Sequence, residues 1–305
     1  MPPKNVKLIL NPNADMGNAW KLASDLRPVV DEYGGADWTG TVYPTHAIEL
    51  ARQAAEEGYQ LVIAAGGDGT AHEVVNGLMQ VSAEQRPRLG VIPLGSGNDF
   101  AHAIGMPKDP NQALRQIFSG QARRIDIAQI EDEIGRHEYF DNTIGIGFDA
   151  TVTIRTHTLP VVRGFLMYLT AVLQTIALNH EAPRLTITTD RETWEAETLM
   201  FVICNGPREG GGFMVAPEAA VDDGLLHYAA IGKVSRPMML RLVPEVMNGT
   251  HGKFPQVRMG ALRTLELQSD VPLRIHIDGE IFAGFGGHTR QLKLQIIPGA
   301  LEVQA

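Results

Sequence analysis

A run of glycines with a single carboxylate lies at residues 66–70, which read Gly-Gly-Asp-Gly-Thr. The run follows apolar residues 61–65 and precedes a helical pattern, so the sequence predicts a strand, a tight turn and a helix start. Glycines let backbone N–H groups approach an anion, and the helix N-terminus adds partial positive charge. Because the Asp68 carboxylate would repel phosphate, we expect it to face a metal ion or an attacking hydroxyl, as in metal-bridged phosphoryl transfer. The alternative is a tight turn in which Thr70 is an ordinary N-cap.

A second glycine loop, residues 95–99 (Gly-Ser-Gly-Asn-Asp), again follows a strand pattern and begins a helix. Alone, it is also explained by a capped turn in which Ser96 or Asn98 satisfies backbone donors. Two such loops in neighbouring strand–helix units, each with an aspartate, indicate a nucleoside triphosphate with Mg²⁺, because Asp68 and Asp99 offer the oxygen ligands that Mg²⁺ prefers. Asp126, where the predicted domains meet, is a third candidate ligand.

A third group of interest is the run Asp278-Gly279-Glu280, which ends an alternating strand pattern at a glycine turn. Carboxylates at a strand end can face a cleft and act as a general base. Asp-Gly is also an ordinary hairpin signal, so the run alone leaves a structural turn as the alternative.

The elements that would position these residues follow from the pattern along the chain. Up to about residue 120, β-rich runs alternate with amphipathic stretches, which favours right-handed βαβ units and a mostly parallel sheet. Ligands on such sheets collect at the C-terminal ends of the strands, where both glycine loops lie. Strands are predicted at 6–10, 38–43, 61–65 and 89–92, and helices at about 17–30, 45–57, 70–79, 97–104 and 110–119.

The second half of the chain has a different period. Apolar and polar residues alternate at 185–188, 265–268, 273–277 and 292–296, which predicts antiparallel sheets with one solvated face and few helices. The predicted fold class is therefore α/β plus all-β. A mostly parallel α/β nucleotide-binding domain at 1–125, to which the C-terminal tail can return, precedes an antiparallel β-sandwich domain at 126–305. The two domains are expected to pack closely, with a cleft between them.

Composition narrows the class of partner. The 305 residues carry 26 Lys and Arg against 35 Asp and Glu, a net charge of −9. This charge argues against nucleic acid as a partner, because binding to a phosphate backbone needs a basic face.

The single cysteine, Cys204, lies in an apolar run and is expected to be buried. Of the ten histidines, only His72 lies in a predicted functional loop. The glycine-rich loop 206–213 is assigned no chemistry.

Residues 164–178 form the most apolar stretch, but they are too few to span a bilayer, which needs about 20 residues. One interpretation is a buried helix packed on a sheet. The other is a helix at a membrane interface, with Arg163 beside it. No signal-peptide pattern precedes the first predicted strand, so a cytoplasmic protein is expected.

Six motifs, in order along nearly the whole chain, are Asn11-Pro12, residues 66–78, 93–101, 142–150, 223–226 and Asp278-Gly279-Glu280. In these motifs the chain resembles the diacylglycerol kinase catalytic-domain family, which includes bacterial soluble lipid kinases and the sphingosine and ceramide kinases. The combination is more specific than any one motif, because NAD kinases and phosphofructokinases are similar in the first glycine loop alone.

The resemblance implies an N-terminal domain that binds ATP and a C-terminal sandwich that helps to bind lipid, with the active site between them. Glu280, with Asp278, would be the base that accepts the proton of the lipid hydroxyl. Asp68, Asp99 and Asp126 would organise the catalytic Mg²⁺, partly through water. The implied nucleotide contacts are Asn11, Pro12, Asn13, Thr45, Gly66, Gly67, Asp68, Gly69, Thr70, Ala71, His72, Gly95, Ser96 and Asn98.

The resemblance also implies a structural Mg²⁺ on the sandwich, held by Asp223 and the carbonyl of Leu225. Ala220 stands where the family often has an acidic ligand. A weaker site, a site completed by Asp222, an absent metal and a hydrated acidic turn therefore all remain open.

Together these expectations describe an ATP- and Mg²⁺-dependent kinase that phosphorylates a hydroxyl of a membrane lipid, with diacylglycerol the first candidate. Phosphatidylglycerol or a sphingoid base is the alternative lipid. An NAD-kinase-like enzyme is the alternative class, and a non-enzymatic binding regulator is a third. The expected location is the cytoplasm, with reversible contact at the inner face of the membrane. The oligomeric state stays open, a homodimer included.

Overall fold

The computed structural model describes residues 5–159 and 164–305. The chain divides into two compact units. Unit 1 comprises Met1–Ile127 and Pro298–Ala305, and unit 2 comprises Ala128–Ile297. Asp126 thus belongs to unit 1, whereas the predicted boundary assigned it to the second domain.

Unit 1 is built around a parallel sheet. Its strands are β1 (Val6–Leu10), β2 (Asp37–Gly40), β3 (Leu61–Gly66) and β4 (Arg88–Pro93). They lie in the order β2-β1-β3-β4, and each neighbouring pair is parallel, as the alternating pattern predicts. The helices of this unit are α1 (Ala19–Glu32), α2 (His46–Glu56), α3 (Asp68–Leu78), α4 (Asp99–Ala103) and α5 (Pro110–Ser119).

Helix α3 begins two residues earlier than predicted. Gly67 is its N-cap with extended backbone, at φ −92° and ψ −170°, and the N–H of Ala71 donates to the Gly67 carbonyl at 3.1 Å. Thr70 therefore lies inside the helix and is not its N-cap. Asp68 becomes the first helical residue, and the first N–H groups of α3 have no partner within the helix.

Unit 2 is a β-sandwich. Its strands, in chain order, are β5 (Ala122–Asp132), β6 (His137–Phe140), β7 (Thr143–Gly147), β8 (Arg184–Thr189), β9 (Thr193–Cys204), β10 (Leu226–Gly232), β11 (Val257–Leu262), β12 (Thr264–Ser269), β13 (Ile275–Ile277), β14 (Glu280–Ala283) and β15 (Gln291–Gln304). Strands β5 and β15 contribute residues to both units. The helices of unit 2 are α6 (Phe148–Thr156), α7 (Gly164–Leu178) and α8 (Arg236–Met247).

Strand β9 belongs to both sheets of the sandwich. Its first half pairs with β8, which continues through β12 to β15, and its second half pairs with β7 and β10. Phe201 and Ile203 pack in the core between the sheets, whereas Val202 and Cys204 pack beneath the helices of unit 2.

One solvated face was expected for each sheet, and this holds for β8 and β12, where buried and more accessible residues alternate. It does not hold for β9, whose last seven residues are all buried because helices cover the second face. The unbroken apolar run at 199–204 is the pattern of a strand buried on both sides. No helix in the described part of the chain combines the length and apolar character that a bilayer span requires.

Candidate functional site

The two glycine loops of unit 1 contact each other through their backbones. A Cβ atom on Gly95 would lie 2.4 Å from the Gly67 Cα, and one on Gly66 would lie 2.3 Å from the Thr70 hydroxyl oxygen. Only glycine fits at these positions, because real Cβ atoms essentially never approach so closely. The loops at the ends of β3 and β4 thus form one continuous backbone surface.

Asp68 connects the two loops through its side chain. Its Oδ1 accepts a hydrogen bond from the N–H of Phe100 at 3.2 Å, in the first turn of α4. Desolvation, followed by repulsion from the buried Asp99, raises the pKa of Asp68 to about 7, against the opposing effect of backbone N–H donors at residues 98–100. Two carboxylates that repel each other at a glycine-rich loop are suited to share a cation.

The loop after β1 joins the same surface. The Asn11 side-chain amide donates to the Thr70 hydroxyl at 3.1 Å, and the Asn11 Oδ1 accepts from the N–H of Asn13 at 3.0 Å, across Pro12. The loop before α2 is held by a residue that the sequence analysis missed. Glu73 on α3 accepts from the N–H groups of Thr45 and Ala47 at 2.9 and 3.0 Å.

The remaining predicted nucleotide contacts of unit 1 fall into two groups. Ala71 and His72 are buried in α3, where the His72 ring lies 3.3 Å from the Asn76 amide, so their side chains pack inside the unit. Asn98 exchanges two hydrogen bonds with Gly95 and adopts left-handed backbone, while Ser96 at the loop tip is exposed. The assignment of these residues to a nucleotide stays a prediction.

Asp126, the third predicted carboxylate, is buried on β5. Its Oδ1 accepts from the N–H of Gly299 at 2.7 Å, so it binds the returning C-terminal segment of unit 1. The structure gives this carboxylate a role in holding the tail.

In unit 2, the predicted structural metal loop forms a closed turn. The Asp223 Oδ1 accepts from the Leu225 N–H at 2.9 Å, and the Asp223 Oδ2 lies 3.0 Å from the His227 Nε2. These two contacts make an Asx turn at Asp223 with His227 beside it. The assignment of Asp223 and Leu225 to a structural Mg²⁺, with its alternatives, stays a prediction.

The Asp278-Gly279-Glu280 turn is clamped at its first residue. The Asp278 carboxylate accepts three backbone N–H groups, from Asp141, Asn142 and Thr143, at 2.8–3.0 Å. Asp278 is buried and has φ +49°, a left-handed conformation that costs a non-glycine residue energy and is stabilised here by these contacts. Glu280, by contrast, is exposed at the start of β14.

Beneath this turn lies a buried polar cluster of Asp149, Glu209 and His276, which the partly buried Tyr168 completes. The His276 Nε2 lies 2.6 Å from the Asp149 Oδ2 and 3.8 Å from the Glu209 Oε2. The Tyr168 hydroxyl lies 2.9 Å from the Asp149 Oδ1 and 3.1 Å from the Glu209 Oε1. A Cβ on Gly145 would lie 1.8 Å from the Asp149 Oδ2, so the bare glycine in β7 makes room for the cluster.

The cluster is electrostatically coupled. Burial alone would raise the pKa of Asp149, but attraction to His276 and the hydrogen bonds around it outweigh burial and lower that pKa. Desolvation, followed by repulsion from Asp149 and Glu209, raises the pKa of Tyr168 well above its ordinary value. Tyr168 is therefore a neutral donor and Asp149 a charged acceptor.

The same cluster borders an apolar pocket in unit 2. The pocket is open to solvent on one side. Asp149, Glu209 and Tyr168 lie on its wall. The rest is lined mainly by aliphatic and aromatic side chains, among them Val172, Phe213 and Leu242.

Comparison with known proteins decides the family. Residues 5–130 match the diacylglycerol kinase catalytic domain, and residues 142–305 match the YegS C-terminal NAD kinase beta sandwich-like domain. A protein of Chromohalobacter salexigens named "probable lipid kinase YegS-like" is 35% identical over 241 residues, which cover 76% of this chain and 73% of that protein. The chain belongs to the YegS-like lipid kinase family.

Other members of the YegS-like family align over more of the chain. A "probable lipid kinase YegS-like" of Serratia proteamaculans is 31% identical over 303 residues, which cover 99% of this chain and 94% of that protein. The crystal structure of a diacylglycerol kinase from Bacillus anthracis str. Sterne covers 100% of this chain with a TM-score of 0.75 at 19% identity, which shows a shared fold.

The sequence analysis of this YegS-like kinase missed the buried cluster. His276 lies outside the predicted functional loops, and the loop that carries Glu209 is assigned no chemistry from the sequence. One signal was present, because Asp149 lies in the motif at 142–150 and His276 lies two residues before Asp278. Only the pairing of β13 with β7 brings them together, and that pairing is not readable from local pattern.

Proposed function

We propose that this YegS-like kinase transfers the γ-phosphoryl group of ATP, with Mg²⁺, to the hydroxyl of a membrane lipid, with diacylglycerol the first candidate. The observation that carries the choice of a lipid is the apolar pocket of unit 2. A pocket walled by aliphatic and aromatic side chains suits an acyl chain and offers little to a sugar or a nicotinamide ring.

The glycine loops of unit 1 fit a nucleotide with a divalent ion. The positions of Gly66 and Gly95 leave no room for side chains, and Asp68 and Asp99 offer oxygen ligands in the same loops. Mg²⁺ held by Asp68 and Asp99 would neutralise the negative charge that develops during phosphoryl transfer. We assign the loops to orienting the phosphates and the two carboxylates to holding the metal.

Glu280 is the proposed general base. Its backbone follows a turn that is fixed through Asp278, while its own carboxylate is exposed and able to meet a substrate hydroxyl. An alcohol is a weak nucleophile until its proton is taken, and a positioned carboxylate can accept that proton. Since Asp278 already accepts three backbone hydrogen bonds, we assign it to holding the turn and leave proton transfer to Glu280.

Filling the pocket should raise the KM for lipid. Val172 on α7 lines the pocket and is buried, so Val172→Phe places a ring in the space proposed for the acyl chain. We expect the KM for diacylglycerol micelles to rise by about 10-fold or more, because misplacement of a substrate is costly, while the KM for ATP stays unchanged.

Leu240→Phe on α8 is the matched control, because Leu240 is exposed and does not line the pocket. The assay uses labelled ATP, Mg²⁺ and separate dispersions of diacylglycerol, phosphatidylglycerol and sphingosine, with NAD and glycerol as soluble acceptors. The NAD arm addresses the NAD kinase-like character of residues 142–305. Turnover of NAD without turnover of any lipid would overturn the proposal.

We further propose that α7 touches the membrane surface reversibly. Leu166, Leu173 and Leu178 on this helix are exposed, while its Ala171 and Ile176 are buried. Helix α7 therefore has an outer apolar face and an inner face that packs within unit 2. Arg163, the basic neighbour noted from the sequence, lies outside the described residues.

Liposome flotation tests this membrane contact. Because the chain carries a net charge of −9, we expect only weak binding to anionic vesicles, made through a local basic patch. Added salt screens that local attraction and should weaken the binding further. Leu166→Asp with Leu173→Asp should abolish flotation. Ile134→Asp, at an exposed position outside α7, should leave it unchanged. Tight, salt-insensitive flotation, or flotation unaffected by the α7 changes, would contradict the proposal.

A further inference from the structure

The buried cluster of unit 2 spans the distance between the apolar pocket and the proposed base. At the pocket end, the Tyr168 ring lies on the wall, and its centroid is 5.1 Å from that of Phe213. A Cβ on Gly210 would lie 2.9 Å from ring atoms of Tyr168, so the glycine-rich loop packs directly on this ring. The position of Tyr168 is therefore sensitive to what fills the pocket.

The hydroxyl of Tyr168 connects the wall to the cluster. It carries one proton and lies within hydrogen-bond distance of two carboxylates, Asp149 at 2.9 Å and Glu209 at 3.1 Å. One hydroxyl proton cannot make two full hydrogen bonds, so a movement of the ring changes how Asp149 is held.

Asp149 in turn contacts His276. The His276 Nδ1 accepts the N–H of Gly279 at 3.4 Å, which leaves its Nε2 to donate to Asp149 at 2.6 Å. A ring proton on Nε2 satisfies both contacts. The carbonyl of Gly279 lies 3.3 Å from the His157 Nε2 at the end of α6, so both peptide groups of Gly279 contact a histidine.

Gly279 precedes Glu280 directly and has φ +89°. Asp278 is fixed by its backbone contacts, so the rotation that aims Glu280 occurs at Gly279, where the imidazole of His276 holds the N–H. An unbroken series of contacts thus runs from the pocket wall to the residue that aims the base.

We propose that Tyr168, Asp149 and His276 are positioning residues that couple occupancy of the apolar pocket to the orientation of Glu280. A bound acyl chain contacts the Tyr168 ring and restricts its movement. The Asp149–His276 hydrogen bond then stays in one geometry and holds the Gly279 peptide in one orientation. The kinase thereby favours substrates whose chain fills the pocket. This inference rests on the proposed lipid kinase activity for its function, but the link between Tyr168 and the turn can be measured without any substrate.

Tyr168→Phe is the central variant, because it removes only the hydroxyl and keeps the wall of the pocket. Tyr228→Phe is the matched control, since Tyr228 packs in the core between the sheets and is not a pocket residue. Hydrogen–deuterium exchange is followed over residues 275–283, with and without 1,2-dioctanoylglycerol, beside kinetics with ATP and the same lipid.

In the lipid-free protein, Tyr168→Phe should speed exchange at residues 275–283, and Tyr228→Phe should not. Dioctanoylglycerol should slow this exchange in the wild type and in Tyr228→Phe but not in Tyr168→Phe. The kcat of Tyr168→Phe should fall by about 10-fold, as expected when a catalytic group is misaligned, with the KM values for ATP and dioctanoylglycerol unchanged. A merely structural loss would instead lower stability and the active fraction without changing this response to lipid.

Wild-type exchange and kcat in Tyr168→Phe would overturn the coupling, even if lipid is phosphorylated. Faster exchange in lipid-free Tyr168→Phe, in a protein that phosphorylates no lipid, would support the link while refuting the proposed function. If Tyr168→Phe does not fold, His276→Gln, which keeps an amide donor for Asp149, should show the same loss of response to dioctanoylglycerol; a wild-type response in that variant would overturn the proposal.

Discussion

Asp68→Asn is expected to lower the turnover number by about 10³-fold, the cost of removing a principal electrostatic group from a transfer site. The amide keeps the size of the side chain, and its oxygen can still accept the N–H of Phe100. The amide lacks the negative charge of Asp68, which we assign to metal binding together with Asp99. The fold should therefore survive while activity does not.

The same variant should be more stable than the wild type at high pH in the absence of Mg²⁺. The pKa of Asp68 is raised from 3.8 to about 7 in the folded chain. A carboxyl group whose pKa is higher in the folded than in the unfolded chain adds to the free energy of unfolding. This contribution is complete below about pH 4 and is lost as the pH rises through 7. Asparagine does not titrate, so the difference in Tm between variant and wild type should be larger at pH 8 than at pH 5.

Both effects are measured on one preparation, by kinase assay at saturating ATP and lipid and by thermal unfolding at the two pH values. Asp25→Asn, at an exposed position on α1, is the control and should change neither quantity. Near-normal turnover of Asp68→Asn with unchanged stability would show that the metal is held elsewhere.

Glu280→Gln is expected to lower kcat by about 10²–10⁴-fold, the usual contribution of a general base. Gln has the size of Glu without its basicity, and Glu280 is exposed, so its replacement should leave stability unchanged. The KM for ATP should also be unchanged, because the proposed role concerns only the proton of the acceptor hydroxyl.

Glu218→Gln, a second exposed carboxylate of unit 2, provides the comparison and should retain full activity. The assay separates kcat from both KM values, with nucleotide binding measured directly by calorimetry. A loss of ATP affinity in proportion to the loss of rate would make Glu280 a binding residue and require another base.

The glycine loops of unit 1 were predictable from the sequence because their signals are local. A Cβ atom at Gly66 or Gly95 would collide with a neighbouring residue, and each loop follows a strand and precedes a helix that has a clear apolar period. Parallel order then follows from the βαβ rule, which brings loop ends to one edge of the sheet.

The buried cluster and the pocket of unit 2 were less predictable because their contacts are long-range. Asp149 and His276 are 127 residues apart, and Tyr168 and Glu209 are 41 apart. Each looks like an isolated residue in the sequence. The contacts of Asp278 are also not readable from the sequence. Its carboxylate is expected from the sequence to assist catalysis, and in the structure it accepts hydrogen bonds from three backbone N–H groups.

Residues 298–305 belong to unit 1, although they follow unit 2 in the sequence. Val303 adds to the sheet beside Leu89, the Arg86 side chain donates to the Ala300 carbonyl at 2.8 Å, and Asp126 accepts from Gly299. A ribosome delivers these residues only after all of unit 2 has been made. Unit 1 therefore cannot reach its finished form before unit 2 has been synthesised, although domains near the N-terminus generally fold first. A fragment cut near residue 125 would leave the Leu89 strand edge uncovered, a ready site for pairing between chains.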